Sequence, residues 1–305
     1  MNITDLLNTF ANNLLPILIL SAAGFTLGKT LSIDSRSLGR VVFYIFSPIL
    51  VFDLLLKTQL NSAEIFTTMA YTVLVCSSVG VLAFALGKLF HFERPVLMAI
   101  ILTSAFGNTG NYGLPVVSFA FGEDALAFAT LFFVTTSILF NTVGVLIASL
   151  GHMDFKTALA GIIKVPAVYA VILAALLNRF HLILPIPLVR TIDLASNASI
   201  PIMIVLLGLE LARVQWSHSF KALGVSAALR LLVGPIIGLL LASLFGFKDA
   251  ARQGTVTESA MPAAVTSTVL AAEYGLDTSL VTAIIFIGTI LSPLTLTPLL
   301  VYLGK

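Results

Sequence analysis

The sequence predicts an all-α integral membrane protein with ten transmembrane helices in two inverted five-helix repeats, of which helices 4 and 9 are broken. Three observations point there: a composition too poor in charge for a water-facing surface, a series of long apolar runs, and self-similarity at half the chain length. Hydrophobic residues make up 58% of the 305 and charged residues only 10%, against roughly 25% charged in a soluble chain. Mean hydropathy is +1.07. So few charges cannot coat a water-facing surface, and lipid must cover most of the molecule.

Crossing the hydrocarbon core takes about 20 apolar residues per helix. The runs fall at 12–28, 37–56, 65–87, 95–120, 125–150, 158–177, 188–212, 221–245, 253–272 and 280–303. They are continuous, whereas barrel strands alternate over about ten residues. The first run reads as a retained span, because Met1-Asn2-Ile3-Thr4-Asp5 lacks the basic start of a secretory signal. The loops are short, so the membrane unit is the whole chain. Lys and Arg favour the cytoplasmic side. With the N-terminus outside, ten of the sixteen fall on cytoplasmic connections or ends (among them Arg36, Lys88, Lys156 and Arg213) and six fall outside. Both termini are therefore expected outside.

Repeat matches recur near one offset. Ser47-Pro48 is echoed 153 residues on by Ile200-Pro201, and Phe121-Gly122-Glu123-Asp124 by Tyr274-Gly275-Leu276-Asp277. At an offset of 155, Leu89-Phe90-His91-Phe92 matches Leu244-Phe245-Gly246-Phe247, and Ser104-Ala105 matches Ser259-Ala260. The repeats are then 1–150 and 151–305. Five spans in each force the second copy to enter from the opposite side, the inverted architecture whose substrate site lies at the midplane between the halves.

The fourth span contains Gly107-Asn-Thr-Gly-Asn-Tyr-Gly-Leu-Pro115, and the ninth Glu258-Ser-Ala-Met-Pro262 followed by Thr266-Ser267-Thr268. Gly and Pro disfavour regular helix. Unwound backbone at membrane depth is tolerated only within protein or beside a water-filled cavity. Pro115 and Pro262 suit the first position of the half-helix that follows. Its free amides would face the break and favour an anion. The expected substrate-binding set is Asn108, Thr109, Asn111, Pro115, Met261, Pro262 and Thr266. Single glycines of this kind also let helices pack closely.

Ionisable residues inside spans are functional candidates. Asp53, near Lys57, reads as an interfacial carboxylate or an ion-coupling group. Glu210 reads as an interfacial partner of Arg213. Glu258, just before the ninth-span break, reads equally as a proton- or cation-linked group and as a water-facing one. Arg230, deep in the eighth span, either neutralises a substrate carboxylate, or caps carbonyls or snorkels to the cytoplasm. His91, His152, His181 and His218 all fall at span ends or in loops and form no metal-ligand pattern. Cys76 is alone and makes neither a disulfide nor a metal site. No nucleophile–base spacing or nucleotide-binding loop stands out, and the basic residues are too scattered for nucleic acid. No cofactor is called for.

At these motifs the chain resembles the auxin efflux carrier family, which includes bacterial malonate- and malate-type carriers and plant auxin exporters. The residues that carry the resemblance are Gly107–Pro115, Arg230-Leu-Leu-Val-Gly-Pro235, Ser259-Ala-Met-Pro262, Ala271-Ala-Glu-Tyr-Gly-Leu-Asp277 and Leu291-Ser-Pro-Leu-Thr-Leu-Thr-Pro298. The resemblance spans essentially the full length. It implies a crossover of spans 4 and 9, a scaffold of spans 1, 2, 6 and 7, a moving bundle of spans 3–5 and 8–10, and often a homodimer. It implies carboxylate substrates near Asn108, Asn111, Pro115 and Pro262. The long cytoplasmic loop of many plant members is absent, since only about Gly151–Thr157 joins the halves. The expected function is a secondary active or facilitative transporter of a small organic anion. The alternatives are a sodium- or proton-coupled exchanger of similar fold and a non-transporting membrane sensor.

Overall fold

The computed structural model describes residues 2–31, 33–58, 60–149, 163–217 and 219–304. The expected loop Gly151–Thr157, the start of the run at 158–177, and His152, Lys156, His218 and Lys305 lie outside the described residues. Among the described residues the secondary structure is helical, with one isolated β-bridge. Seven helices are long and apolar enough to cross a membrane. They are α1 (Ile3–Thr30), α2 (Ser35–Thr58), α3 (Ser62–Leu89), α5 (Thr109–Ala148), α7 (Ile186–Leu211), α8 (Phe220–Leu244) and α11 (Thr278–Leu303). Between them lie the shorter α4 (Arg94–Ala105), α6 (Pro166–Phe180), α9 (Asp249–Ser259) and α10 (Ser267–Glu273). Large apolar side chains such as Phe66 and Leu244 stand bare on the outer faces, as lipid contact requires. This is a multi-pass helical membrane protein.

Helix α1 starts well before its apolar run, because Asn2 and Asp5 form a capping box at its N-terminus. Four helices change to π-helical turns just ahead of a proline: Phe10–Leu14 before Pro16, Val42–Phe46 before Pro48, Thr109–Gly113 before Pro115, and Leu229–Val233 before Pro235. Proline lacks the amide that would bond four residues back, and its ring crowds that carbonyl. Widening the ladder by one residue relieves the clash, and such π-bulges gather at functional sites. A fifth π turn, Phe140–Gly144, precedes no proline.

The long α5 is bent at Gly122, whose φ of 77° and ψ of −164° are non-helical. Glu123 and Asp124 at that bend are exposed, so the expected connection between runs 95–120 and 125–150 is present as a kink. Helix α3 ends at His91 (φ 55°) and α8 at Gly246 (φ 69°). In both, the next residue donates back five residues, Phe92 to Gly87 and Phe247 to Ala242, the cap that glycine-like conformations supply.

Helix α1 lies along α7, and α2 lies on α6 and α7. A second group joins α3 to α4, α5 and α8, α9 to α5 and α8, and α11 to α4, α8 and α10. The α1–α7 contact is backbone-close: a Cβ at Gly208 would overlap the Ser21 carbonyl, and one at Gly24 the Val205 carbonyl. Small residues permit this approach. Ser199 on α7 donates to the Phe46 carbonyl of α2 at 3.1 Å.

Asp34 caps α2. Its carboxylate accepts from Ser37 Oγ (2.7 Å), the Ser37 amide (3.2 Å) and the Arg36 amide (3.1 Å). The Ser37 hydroxyl above all holds the carboxyl below its ordinary 3.8. The folded value is depressed, so the cap contributes fully above 3.8 and is lost as pH falls through the lowered value. Hydrogen-exchange protection at the Arg36 and Ser37 amides, relative to their intrinsic rates, is expected to fall in that acid window in the wild type. In Asp34→Ala it should be low at every pH.

Candidate functional site

Helix α4 ends at Ala105. Phe106 is extended (φ −113°, ψ 116°), and Asn108 (φ −77°, ψ 62°) leads into the π turn that starts α5. The second break follows α9, and the chain does not return to helix until Ser267. The two unwound segments cross. Gly107 and Ala263 form an antiparallel bridge, the Asn108 amide donates to the Pro262 carbonyl at 2.7 Å, and the Ala264 amide donates to the Phe106 carbonyl at 3.0 Å. Each break thus satisfies main-chain groups that neither helix can, with Met261 and Ala263 almost wholly buried.

Pro262 therefore does not open the following half-helix as its sequence position suggests. It lies in the crossing segment, and its carbonyl is an acceptor there. Pro115 sits at the second position of the α-helical part of α5, one π turn after the helix has restarted.

Arg230, 3% exposed on α8, reaches both breaks. Its Nε donates to the Met261 carbonyl and its guanidinium NH1 to the Ser104 carbonyl at 3.3 Å. Of the roles read from sequence, carbonyl capping is the one its geometry fulfils. A Cβ at Gly107 would overlap the guanidinium, so this glycine clears space for the arginine as well as loosening the helix. Gly113 does the same for Glu258, whose carboxyl would overlap a Cβ placed there. Glu258 is fully buried, which overturns its water-facing reading.

The structure brings Asn108, Thr109, Met261 and Pro262 together, with Pro115 buried one turn on. The Asn108 side-chain nitrogen is buried without a hydrogen-bond partner, as are the hydroxyls of Ser104, Thr257 and Ser267. The first amides of α5 lack intrahelical acceptors. Asn111 is half-buried and donates to Glu210 Oε2 of α7 at 3.4 Å. Thr266 is exposed and does not join the buried group.

Glu210 does not pair with Arg213 as expected. Helix α7 ends at Leu211, and Arg213 swings to Asp34 (3.7 Å) and to the Ile33 carbonyl (3.4 Å). Asp53 is buried in an ion-pair chain, Asp53–Lys57 at 2.9 Å and Lys57–Asp193 at 3.1 Å, that ties α2 to α7. It takes no part in the crossing. A cavity of about 330 Å³ opens between α1, α5 and α11, lined by Asp5, Thr9 and Asn13, and the crossing segments lie outside it. Sequence reasoning missed Ser104 and Thr257 as site residues, and it read Gly107 and Gly113 as helix breakers without their space-clearing role. The only signal for the two hydroxyl residues was their nearness to the breaks.

The chain matches the model of one family, described as membrane transport protein, over residues 9–158 and again over 152–300. An uncharacterized transporter of Methanothermobacter thermautotrophicus is 28% identical over 92% of this chain and 94% of its own length. One of Methanocaldococcus jannaschii is 30% identical, covering 86% and 87%. A Rhizobium meliloti protein provisionally named a malonate transporter is 29% identical, covering 86% and 85%. Crossed, unwound segments amid apolar helices, and a family match across both halves, agree: the chain belongs to the membrane transport protein family, that of the auxin efflux carriers.

Proposed function

We propose that this protein is a secondary active or facilitative carrier of a small organic carboxylate, which binds where the two breaks cross. The observation that carries this is the buried, unpartnered Asn108 amide beside the free first amides of α5. These donors carry partial positive charge and have no acceptor. Asn111 shows the same donor capacity, since its side-chain nitrogen donates to the Glu210 carboxyl of α7. The provisional name of the Rhizobium relative points to the same substrate class.

The architecture in this reading is ten spans in two inverted repeats, 1–150 and 151–305, with α4 plus the start of α5 as span 4 and α9 plus α10 as span 9. Several local features support it. Positive φ recurs at repeat mates, at Gly122 and Gly275 and at His91 and Gly246. The Phe92→Gly87 cap has its mate in Phe247→Ala242, shifted by 155. Packing partners come in exchanged pairs, α1 on α7 with α6 on α2, and α3 on α4 with α8 on α9. Mates also touch one another, Ser199 to Phe46 across an offset of 153 and Gly107 to Ala263 across nearly the same. Contacts between mates are what a pseudo-two-fold axis through both places requires. Spans 1, 2, 6 and 7 then form a scaffold, against which the bundle of spans 3–5 and 8–10 rocks to open the crossing to each side in turn. The reading includes a bacterial inner membrane, both termini outside, and a homodimer.

The test is uptake and counterflow in proteoliposomes across a panel of carboxylates. A hydrogen bond to a charged group contributes about 1.5–3 kcal/mol. Asn108→Ala and Asn111→Ala should therefore each raise the half-saturating concentration by about ten- to a hundredfold. Unchanged kinetics in both would remove the site from the crossing. A second reading, a sodium-coupled carrier, is favoured by the buried Glu258. It requires sodium-dependent uptake that Glu258→Gln abolishes.

A further inference from the structure

Glu258 lies on α9 just before the crossing, and neither carboxyl oxygen has a hydrogen-bond partner. An ionised carboxylate offers about four acceptor sites, and burying its charge without donors is very costly. Its charged neighbour and the tyrosines on the helices packed nearby are committed elsewhere. Arg230 of α8, close enough to act on it through space, gives its protons to the Met261 and Ser104 carbonyls. Tyr71 of α3 donates to the Gly238 carbonyl at 2.9 Å, and Tyr112 of α5 is paired with Ser292 of α11 at 3.1 Å. Cys76 of α3 is a buried free thiol. The carboxyl packs directly on Gly113, and among the described residues it belongs to no group of carboxylate, histidine or cysteine ligands that could hold a metal ion. A proton needs no such group.

From this geometry we infer that Glu258 is the proton-binding group of the carrier, loading one proton with each anion and releasing both on the far side. The inference rests on the anion-carrier reading. Loading forms one O–H bond on the carboxyl, consumes one proton from water and cancels one negative charge; release reverses each of these. The coupling follows from Arg230. When Glu258 is neutral, the guanidinium charge at the crossing is uncompensated and attracts an anion to the neighbouring amides. When Glu258 is ionised, it offsets that charge and repels the anion. Proton and anion therefore strengthen each other's binding reciprocally, which is the requirement for symport.

The experiment uses purified full-length protein in sodium-free proteoliposomes, with the membrane potential clamped at zero, radiolabelled malonate as probe and a pH dye trapped in the lumen. With the outside one pH unit more acid, one proton per anion gives up to about tenfold accumulation, one unit being a factor of ten, and the lumen acidifies as malonate enters. In Glu258→Gln, which holds the neutral form, counterflow loses its dependence on pH and gradient-driven accumulation falls to that of protein-free vesicles. Three results overturn the inference: wild-type uptake without lumen acidification, Glu258→Gln that still accumulates malonate on the gradient, or accumulation that requires sodium. If Glu258→Gln fails to insert, Glu258→Asp, which keeps a titratable carboxyl, takes its place: its counterflow should stay pH-dependent with a shifted midpoint, and an unshifted midpoint overturns the inference. Absence of counterflow for every carboxylate in wild type defeats the anion reading first and this inference with it. Intact counterflow without proton movement defeats this inference alone.

Discussion

Arg230→Met is expected to abolish transport and to lower the thermal stability of the detergent-solubilised protein by the largest margin of any single substitution at the crossing. Methionine fills much of the arginine's volume, so the change isolates the loss of the guanidinium. The Met261 and Ser104 carbonyls then lose their donor in a region with no water at hand. Each buried carbonyl left unsatisfied costs about 1–3 kcal/mol, so the pair amounts to about 2–6 kcal/mol. Arg230→Lys should recover only part of this, because an ammonium on a flexible stem cannot reach two divergent carbonyls as a planar fork does. Equal melting temperatures for wild type and Arg230→Met would refute the clamp.

The second large effect is expected at Gly208→Val. The added Cβ meets the Ser21 carbonyl and the Phe25 amide of α1, which are main-chain atoms and cannot rotate aside. The two helices must separate along their contact, and neighbours such as Leu14 and Ile17, now fully buried, lose packing. Overfilled cores lose about 1–3 kcal/mol, and the rigidity of the obstacle puts this site at the upper end. Gly224→Val is the control, because a Cβ there meets nothing within 4 Å. A melting temperature for Gly208→Val equal to that of the control would mean that α1 and α7 are not held this closely.

Much of this molecule was legible in its sequence because membranes impose so few solutions. The apolar runs located the long helices, and Gly107–Pro115 located the first break to within a residue or two. What could not be read was whatever depends on a distant partner. Pro262 looks like a helix start, yet the chain does not return to helix until Ser267, because Phe106–Asn108 arrives to pair with it. Glu210 and Arg213 are spaced like partners on one helix face, but the helix ends between them, and each finds a partner far away in sequence. Gly107 and Gly113 have the composition of a hinge. Their second purpose, making room for Arg230 and Glu258, is invisible until α8 and α9 are in place.

The crossing is fastened by main-chain atoms: the amides and carbonyls of Phe106, Asn108, Pro262 and Ala264 do the joining. Amides and carbonyls survive most substitutions, so the side chains that decorate the joint are free to drift while the joint itself stays closed. Side chains such as those of Asn108 and Thr109 can therefore change by point mutation without the framework first having to be rebuilt. Only the positions that must stay small, Gly107 above all, are barred from such change.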